Sequence, residues 1–189
     1  ILIFIGMQKE NKISKGTENI VITYIYPVAR GKYIAYIDGD DFWTDDNKLQ
    51  KQYDFLESHP DYLCCFHNFD FLYEMQGTRE KSCCGDKEKE FTTNDFIQWD
   101  SRKIPQIGTA MFRLSAAYPR PELFWFIGGG EDSYRPISDM LLYVYFSLNG
   151  KIYYDPNVYS VWRRRVRGTW GNDADTKEMT NFLEDRIRF

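Results

Sequence analysis

"GKYIAYIDGDDFW", Gly31 to Trp43, is an apolar and aromatic run that ends in three acids. Tyr33-Ile34-Ala35-Tyr36-Ile37 has the composition of a buried β-strand. Directly beyond it stand Asp38, Asp40 and Asp41, with Gly39 placed to allow a tight turn. A D-G-D taken alone also reads as a polar turn leading into a helix cap. Its setting suggests more, because ligands of open α/β sheets bind beyond the carboxyl ends of the strands. Grouped carboxylates repel unless a cation lies between them. Hard ions such as Mg²⁺ or Mn²⁺ take oxygens from one or two carboxylates together with substrate phosphates. The cluster therefore suits a bridge to a diphosphate.

Outward from this block, helices and strands alternate. Thr44 is expected to cap a helix with Asp45 and Asp46 in its first turn, Leu49, Tyr53 and Leu56 at helical spacing, and Pro60 beyond its end. "YLCCFHNFDFLY", Tyr62 to Tyr73, has strand composition, and the polar "MQGTREKSCCGDKEKE" after it reads as a mobile excursion. Thr93 is placed to cap a short helix through Trp99. "IGTAMFRLSA" reads as a strand and its exit, and Ile137 to Asn149 as an apolar helix closed by Gly150. "KIYYDPNVYSVWRRR" reads as strand, Pro-marked turn and second strand. A strand at Ile1 to Ile5, a flexible turn at "GGG" 128–130 and an amphipathic helix from Asp173 complete the expectation. The alternation indicates an α/β architecture in one domain spanning residues 1–189.

Composition narrows the function classes. With 189 residues, 43% of them hydrophobic, the chain can build one well-packed core. A net charge of -4 argues against a nucleic-acid binder that works through a bulk positive field. The four cysteines form two adjacent pairs, Cys64-Cys65 and Cys83-Cys84, a poor spacing for zinc and better suited to reduced thiols. "ILIFIGM" is too short to span a bilayer and lacks the basic start of a signal peptide. A cytoplasmic location follows as the expectation, with peripheral contact at the inner membrane face.

The longer stretch "ARGKYIAYIDGDDFWTDDNKLQKQYDFLESHPDY", Ala29 to Tyr62, resembles the central segment of family 2 glycosyltransferases of the GT-A fold. It is most similar to the bacterial polysaccharide-type members. The likeness continues more loosely through "IPQIGTAMFR" and returns in "GKIYYDPNVYSVWRR". It implies a Rossmann-like mixed sheet flanked by helices. It also implies inverting transfer of a sugar from a nucleotide-diphosphate sugar to a saccharide or lipid-linked acceptor in surface polysaccharide synthesis. By the same resemblance Asp40 would hold Mn²⁺ or Mg²⁺ on the diphosphate, and Asp38 would approach the donor ribose or share the metal. Asp41 stands between a turn role and a site role, and Trp43 between the core and the donor.

An inverting transfer needs a carboxylate to accept the proton of the attacking hydroxyl. In the family this acid opens the helix that ends at a "G-K" before a strand, the place Asp139 occupies eleven residues ahead of Gly150. The base role is the favoured one; the other reading of Asp139 is a helix N-terminal acid or cap, a duty Ser138 could share, and Asp132, in the Glu131-Asp132 pair, is the runner-up base. Family members carry a His after "YR."; here Arg165 stands in its place within "VWRRRVRG". Arginine grips phosphate oxygens bidentately, so Arg163 and Arg165, with Arg164 and Arg167 beside them, are candidate diphosphate contacts or an exposed basic strand end. His59 and His67 carry no motif and read as structural.

The family's first half, a strand-helix-strand unit of about 80 to 90 residues that grips the nucleotide base, has no counterpart here. An exposed edge left by its loss would favour a homodimer. The same absence keeps a non-catalytic remnant, acting as a binding or interaction module, as the alternative function. A metal-dependent phosphohydrolase is a third reading, weakened by the lack of two-metal ligand sets.

Overall fold

A computed structural model describes residues 25–98, 103–117 and 138–164. Within them run seven strands and four α-helices: β1 (Tyr33–Ala35), β2 (Phe42–Trp43), α1 (Lys48–Ser58), β3 (Tyr62–Tyr73), β4 (Thr78–Lys81), β5 (Lys89–Phe91), α2 (Thr93–Ile97), β6 (Met111–Arg113), α3 (Leu114–Ala117), α4 (Ser138–Asn149) and β7 (Lys151–Arg164). The sheet order is β1-β6-β3-β7-β2, with β4 added to β3 and β5 to β7. Only β3 and β7 pair in parallel; every other pairing is antiparallel. The result is the mixed α/β sheet flanked by helices that the family resemblance implies.

β3 is the spine, as its composition predicts. Cys64 to Phe69 are all buried, because both faces of this strand are covered. The period of two sends Cys64 and Phe66 into a large aromatic cluster with Phe112, Tyr143, Phe146 and Tyr154. Cys65 goes the other way, against Leu56 of α1 and Met111. Edge-to-face contacts such as Phe66 on Tyr143, with centroids 4.8 Å apart, knit α4 onto the sheet.

Several boundaries differ from the sequence reading. β1 is only three half-buried residues; Tyr36 keeps one bond to Ala110 O at 3.4 Å, and Ile37 is 39% exposed. Gly39 has neither a left-handed backbone nor a neighbour where a Cβ would stand, so the turn itself does not demand glycine. Thr44 does not cap α1, because its N–H is drawn to Tyr159 O at 2.8 Å. Asp45 instead accepts from Asn47 N at 2.7 Å and from Lys51 Nζ at 2.8 Å, and the helix begins at Lys48. α2 is capped by Thr92 in a capping box with Asp95, one residue before Thr93. The polar stretch after Tyr73 holds two strands, β4 and β5, in place of an excursion. Residues 151–164 form one strand rather than two: the register passes from His67–Asp155 to Asn68–Val158, so Pro156, which has no N–H, sits in a bulge. The expected elements at Ile1 to Ile5, at 128–130 and from Asp173 onward lie outside the described residues.

Gly150 ends α4 as expected, for a steric reason. A Cβ there would stand 2.5 Å from Leu63 Cγ and 3.3 Å from Asp61 O. Gly150→Ala is expected to lower stability by about 1–3 kcal/mol, the usual cost of overpacking a filled interior. A urea unfolding curve tests this, and an unchanged midpoint would show that the helix end can shift.

Candidate active site

The acidic turn is held from three directions. It closes on itself through Asp41 N donating to Asp38 O at 3.1 Å. β2 then pairs with β7, Phe42 opposite Val161, which carries Asp41 to the backbone of the last strand. There the Arg163 N–H donates to Asp41 Oδ1 at 2.9 Å. From a third segment Gln106 reaches in, its Nε2 donating to Asp41 Oδ2 at 2.9 Å and to Asp38 Oδ2 at 3.2 Å. The 3₁₀ turn Ile107–Thr109 beside it is tied back by Trp43 Nε1, which donates to Gly108 O at 3.0 Å. Trp43 thus holds the platform under the acids.

Electrostatics shows unbalanced negative charge. Asp41 is pushed up to about 6, first by burial and then by the charges of Asp40 and Asp38, against the hydrogen bonds from Arg163 and Gln106. Asp38 is raised in the same way, by desolvation first and Asp40 second. As a residue Asp38 is exposed, but its carboxyl is the crowded end. Oxygen-only donors under mutual repulsion fit a hard divalent cation. Among the described residues no group of three or more His, Cys, Asp or Glu is arranged to hold a metal by itself. One or two carboxylates completed by phosphate oxygens remain the arrangement that these residues fit.

Asp139 lies in the first turn of α4 and is half-buried. The phenols of Tyr36 and Tyr143 are both raised, chiefly by burial and further by the charges of Asp38 and Asp139. The two acids therefore share one neighbourhood at the end of β1. Tyr143 is buried with its hydroxyl unbonded among the described residues.

Behind the platform is a buried cation. Lys48 is fully buried, donates to Gln52 Oε1 at 2.8 Å and lies over the Trp43 ring at 4.2 Å. Burial lowers its ammonium to about 7. Gln52 Nε2 in turn donates to Thr109 O at 2.8 Å and Cys65 O at 3.2 Å, so α1 braces the Gln106 segment.

The structure brings together Asp38, Asp40, Asp41 and the backbone of Arg163, with Asp139 nearby. It does not aim the Arg163 side chain at them: that guanidinium is paired with Glu74, Nε to Oε1 at 2.5 Å. Arg164 lies over Trp162 at 4.6 Å. Arg165, Arg167 and Asp132 lie outside the described residues. Gln106 was not among the sequence candidates; its one signal is an amide set in the mainly apolar "IPQIGTAMF".

Comparison with known proteins gives this geometry its context. Residues 23–118 match the family model described as glycosyl transferase family 2. One uncharacterized protein of Mycobacterium bovis and two of Mycobacterium tuberculosis (strains CDC 1551 / Oshkosh and H37Rv) are each 29% identical over 155 residues. The alignments cover 77% of this chain and 38% of each relative, so the chain spans about two fifths of the length of the curated relatives it matches.

Proposed function

The chain belongs to the family 2 glycosyltransferases, and from that premise we propose that it transfers a sugar from a nucleotide-diphosphate donor to an acceptor hydroxyl with inversion at the anomeric carbon. The observation that carries this is the acidic turn at the end of β1, held by Gln106 and β7 and sharing its surroundings with Asp139. Asp139 accepts the proton of the acceptor hydroxyl as that oxygen bonds to the anomeric carbon. The bond to the diphosphate breaks at the same centre, and the diphosphate leaves with the electron pair. Asp40 and Asp38 would hold Mn²⁺ or Mg²⁺, which neutralises charge on the leaving diphosphate. Asp41 keeps the turn closed, and the Arg163 backbone N–H fixes Asp41. Arg165 is assigned to the diphosphate, and the Arg163 side chain could join it only by leaving Glu74.

The acceptor class proposed is a saccharide or lipid-linked saccharide of surface polysaccharide synthesis. The site is placed on the cytoplasmic side, with peripheral contact at the inner membrane face and a homodimer through an exposed sheet edge. Among the described residues no helix is long and apolar enough to cross a membrane.

Titration calorimetry of the full-length protein with nucleoside diphosphates tests the reading. Binding is expected to require Mn²⁺ and to fall below detection in Asp40→Ala. Binding that ignores both the metal and the substitution would instead favour a non-catalytic binding module.

A further inference from the structure

We infer that Gln106 is a positioning residue that selects which carboxylate oxygens of the acidic turn face a bound cation, an inference that rests on the reading of that turn given above. The amide cannot turn over freely. Its Oε1 accepts the Gly108 N–H at 2.9 Å, so Nε2 is the end presented to the acids. That nitrogen takes Asp41 Oδ2 and Asp38 Oδ2. The second oxygen of Asp41 is already taken by the Arg163 N–H. Both oxygens of Asp41 are therefore committed to the protein, and it serves as a bracket.

Among the described residues Asp38 has one oxygen committed, which leaves Oδ1. Asp40 makes no hydrogen bond or ion pair among the described residues. The oxygens left for a cation are those of Asp40 and Asp38 Oδ1, and Gln106 holds Asp38 in the rotation that offers the latter. An amide suits this task better than a lysine or arginine, because it donates to two carboxylates without cancelling the charge a cation needs. The clamp is itself braced: Thr109 Oγ1 donates to Gln106 O at 2.7 Å, Trp43 holds the carbonyl of Gly108 and Gln52 that of Thr109.

The test is Mn²⁺ titration of the full-length protein, followed by the electron paramagnetic resonance of free and bound ion, for wild type, Gln106→Leu and Asp40→Ala. Outer groups that orient metal ligands are worth roughly 10–100-fold in affinity, and Gln106→Leu is expected to weaken Mn²⁺ by that factor in a protein that still unfolds cooperatively. Equal affinity in wild type and Gln106→Leu overturns the inference while leaving the cation seat intact. No binding to wild type, with or without a nucleoside diphosphate, removes the seat and the inference with it. Should Gln106→Leu fail to fold, a Mn²⁺-soaked wild-type crystal decides. The inference requires Gln106 Nε2 still bonded to Asp38 and Asp41 on the side away from the ion, and an amide rotated off both overturns it.

Discussion

Asp139→Asn is expected to slow sugar transfer by roughly 10²–10⁴-fold, the worth of a well-placed general base, while donor binding stays close to wild type. Asparagine matches the size and hydrogen-bonding reach of the carboxylate but cannot take a proton. The substitution also removes a negative charge from the first turn of α4, where the helix dipole favours it by about 0.3–1 kcal/mol. That stability loss is too small to unfold the chain, so a rate effect of the expected size could not be blamed on misfolding. Single-turnover transfer with saturating donor separates the chemical step from binding. A rate within threefold of wild type would move the base elsewhere, with Asp132 the next candidate.

The second large effect is on acid stability, and its source is His67. Its ring is wholly buried in β3, with Nδ1 2.7 Å from Asn68 O and Nε2 without a partner among the described residues. The Nδ1–H donates to that carbonyl, so a second proton on Nε2 would be a buried, unbonded charge. Burial, with the Lys48 cation second, lowers the imidazole from 6.5 to about 3. The unfolded chain therefore binds the proton more readily than the folded one. Stability from this group is complete above pH 6.5 and is lost progressively as pH falls from there toward 3. At about 1.4 kcal/mol per pH unit, the full loss is on the order of 5 kcal/mol, comparable to the whole stability of a marginal domain.

Lys48 acts in the same sense over a higher range. Its folded ammonium is lowered from 10.5 to about 7, so its contribution to stability rises as pH climbs between those values. The Trp43 face beneath it offsets part of that by about 0.5–2 kcal/mol. Asp41 has the opposite sign, since its raised carboxyl is relieved by protonation below about 6. Comparing His67→Phe with wild type isolates the histidine. The variant keeps a ring beside Tyr159, now at 5.1 Å from His67, and loses one hydrogen bond, about 1 kcal/mol at pH 7. Urea unfolding at pH 7 and pH 4.5 should then show a much smaller acid loss in the variant. An equal loss in both proteins would place the acid sensitivity in other groups.

Two kinds of information are separable in this chain. The mixed α/β class, the twelve-residue strand Tyr62–Tyr73 and the acidic block after Tyr33–Ile37 were all legible in the amino-acid order, whereas among the described residues the runs β3-β4-β5 and α3-α4 depart from strict alternation. Strand composition, helical spacing and the D-G-D-D run are properties of neighbouring residues, so local reading reaches them. The expected caps lie a few residues off because capping is a competition: the Thr44 N–H is claimed by Tyr159 O, Asp45 holds Asn47 N, and Asn47 becomes the cap position of α1. The single strand across Pro156 was missed because a bulge is set by its partner, here His67 and Asn68 of β3.

What the sequence by itself determined was the acidic run Asp38 to Asp41 and the order of elements that presents it. Only the tertiary structure decided which oxygen of each acid is committed. Asp41 is held by Gln106 across 65 residues and by Arg163 across 122, while the Arg163 side chain is drawn away to Glu74 across 89. Such contacts depend on sheet register and on how α1 braces the 106–109 turn. Those are set by burial of the whole core, and no short-range pattern along the chain encodes them.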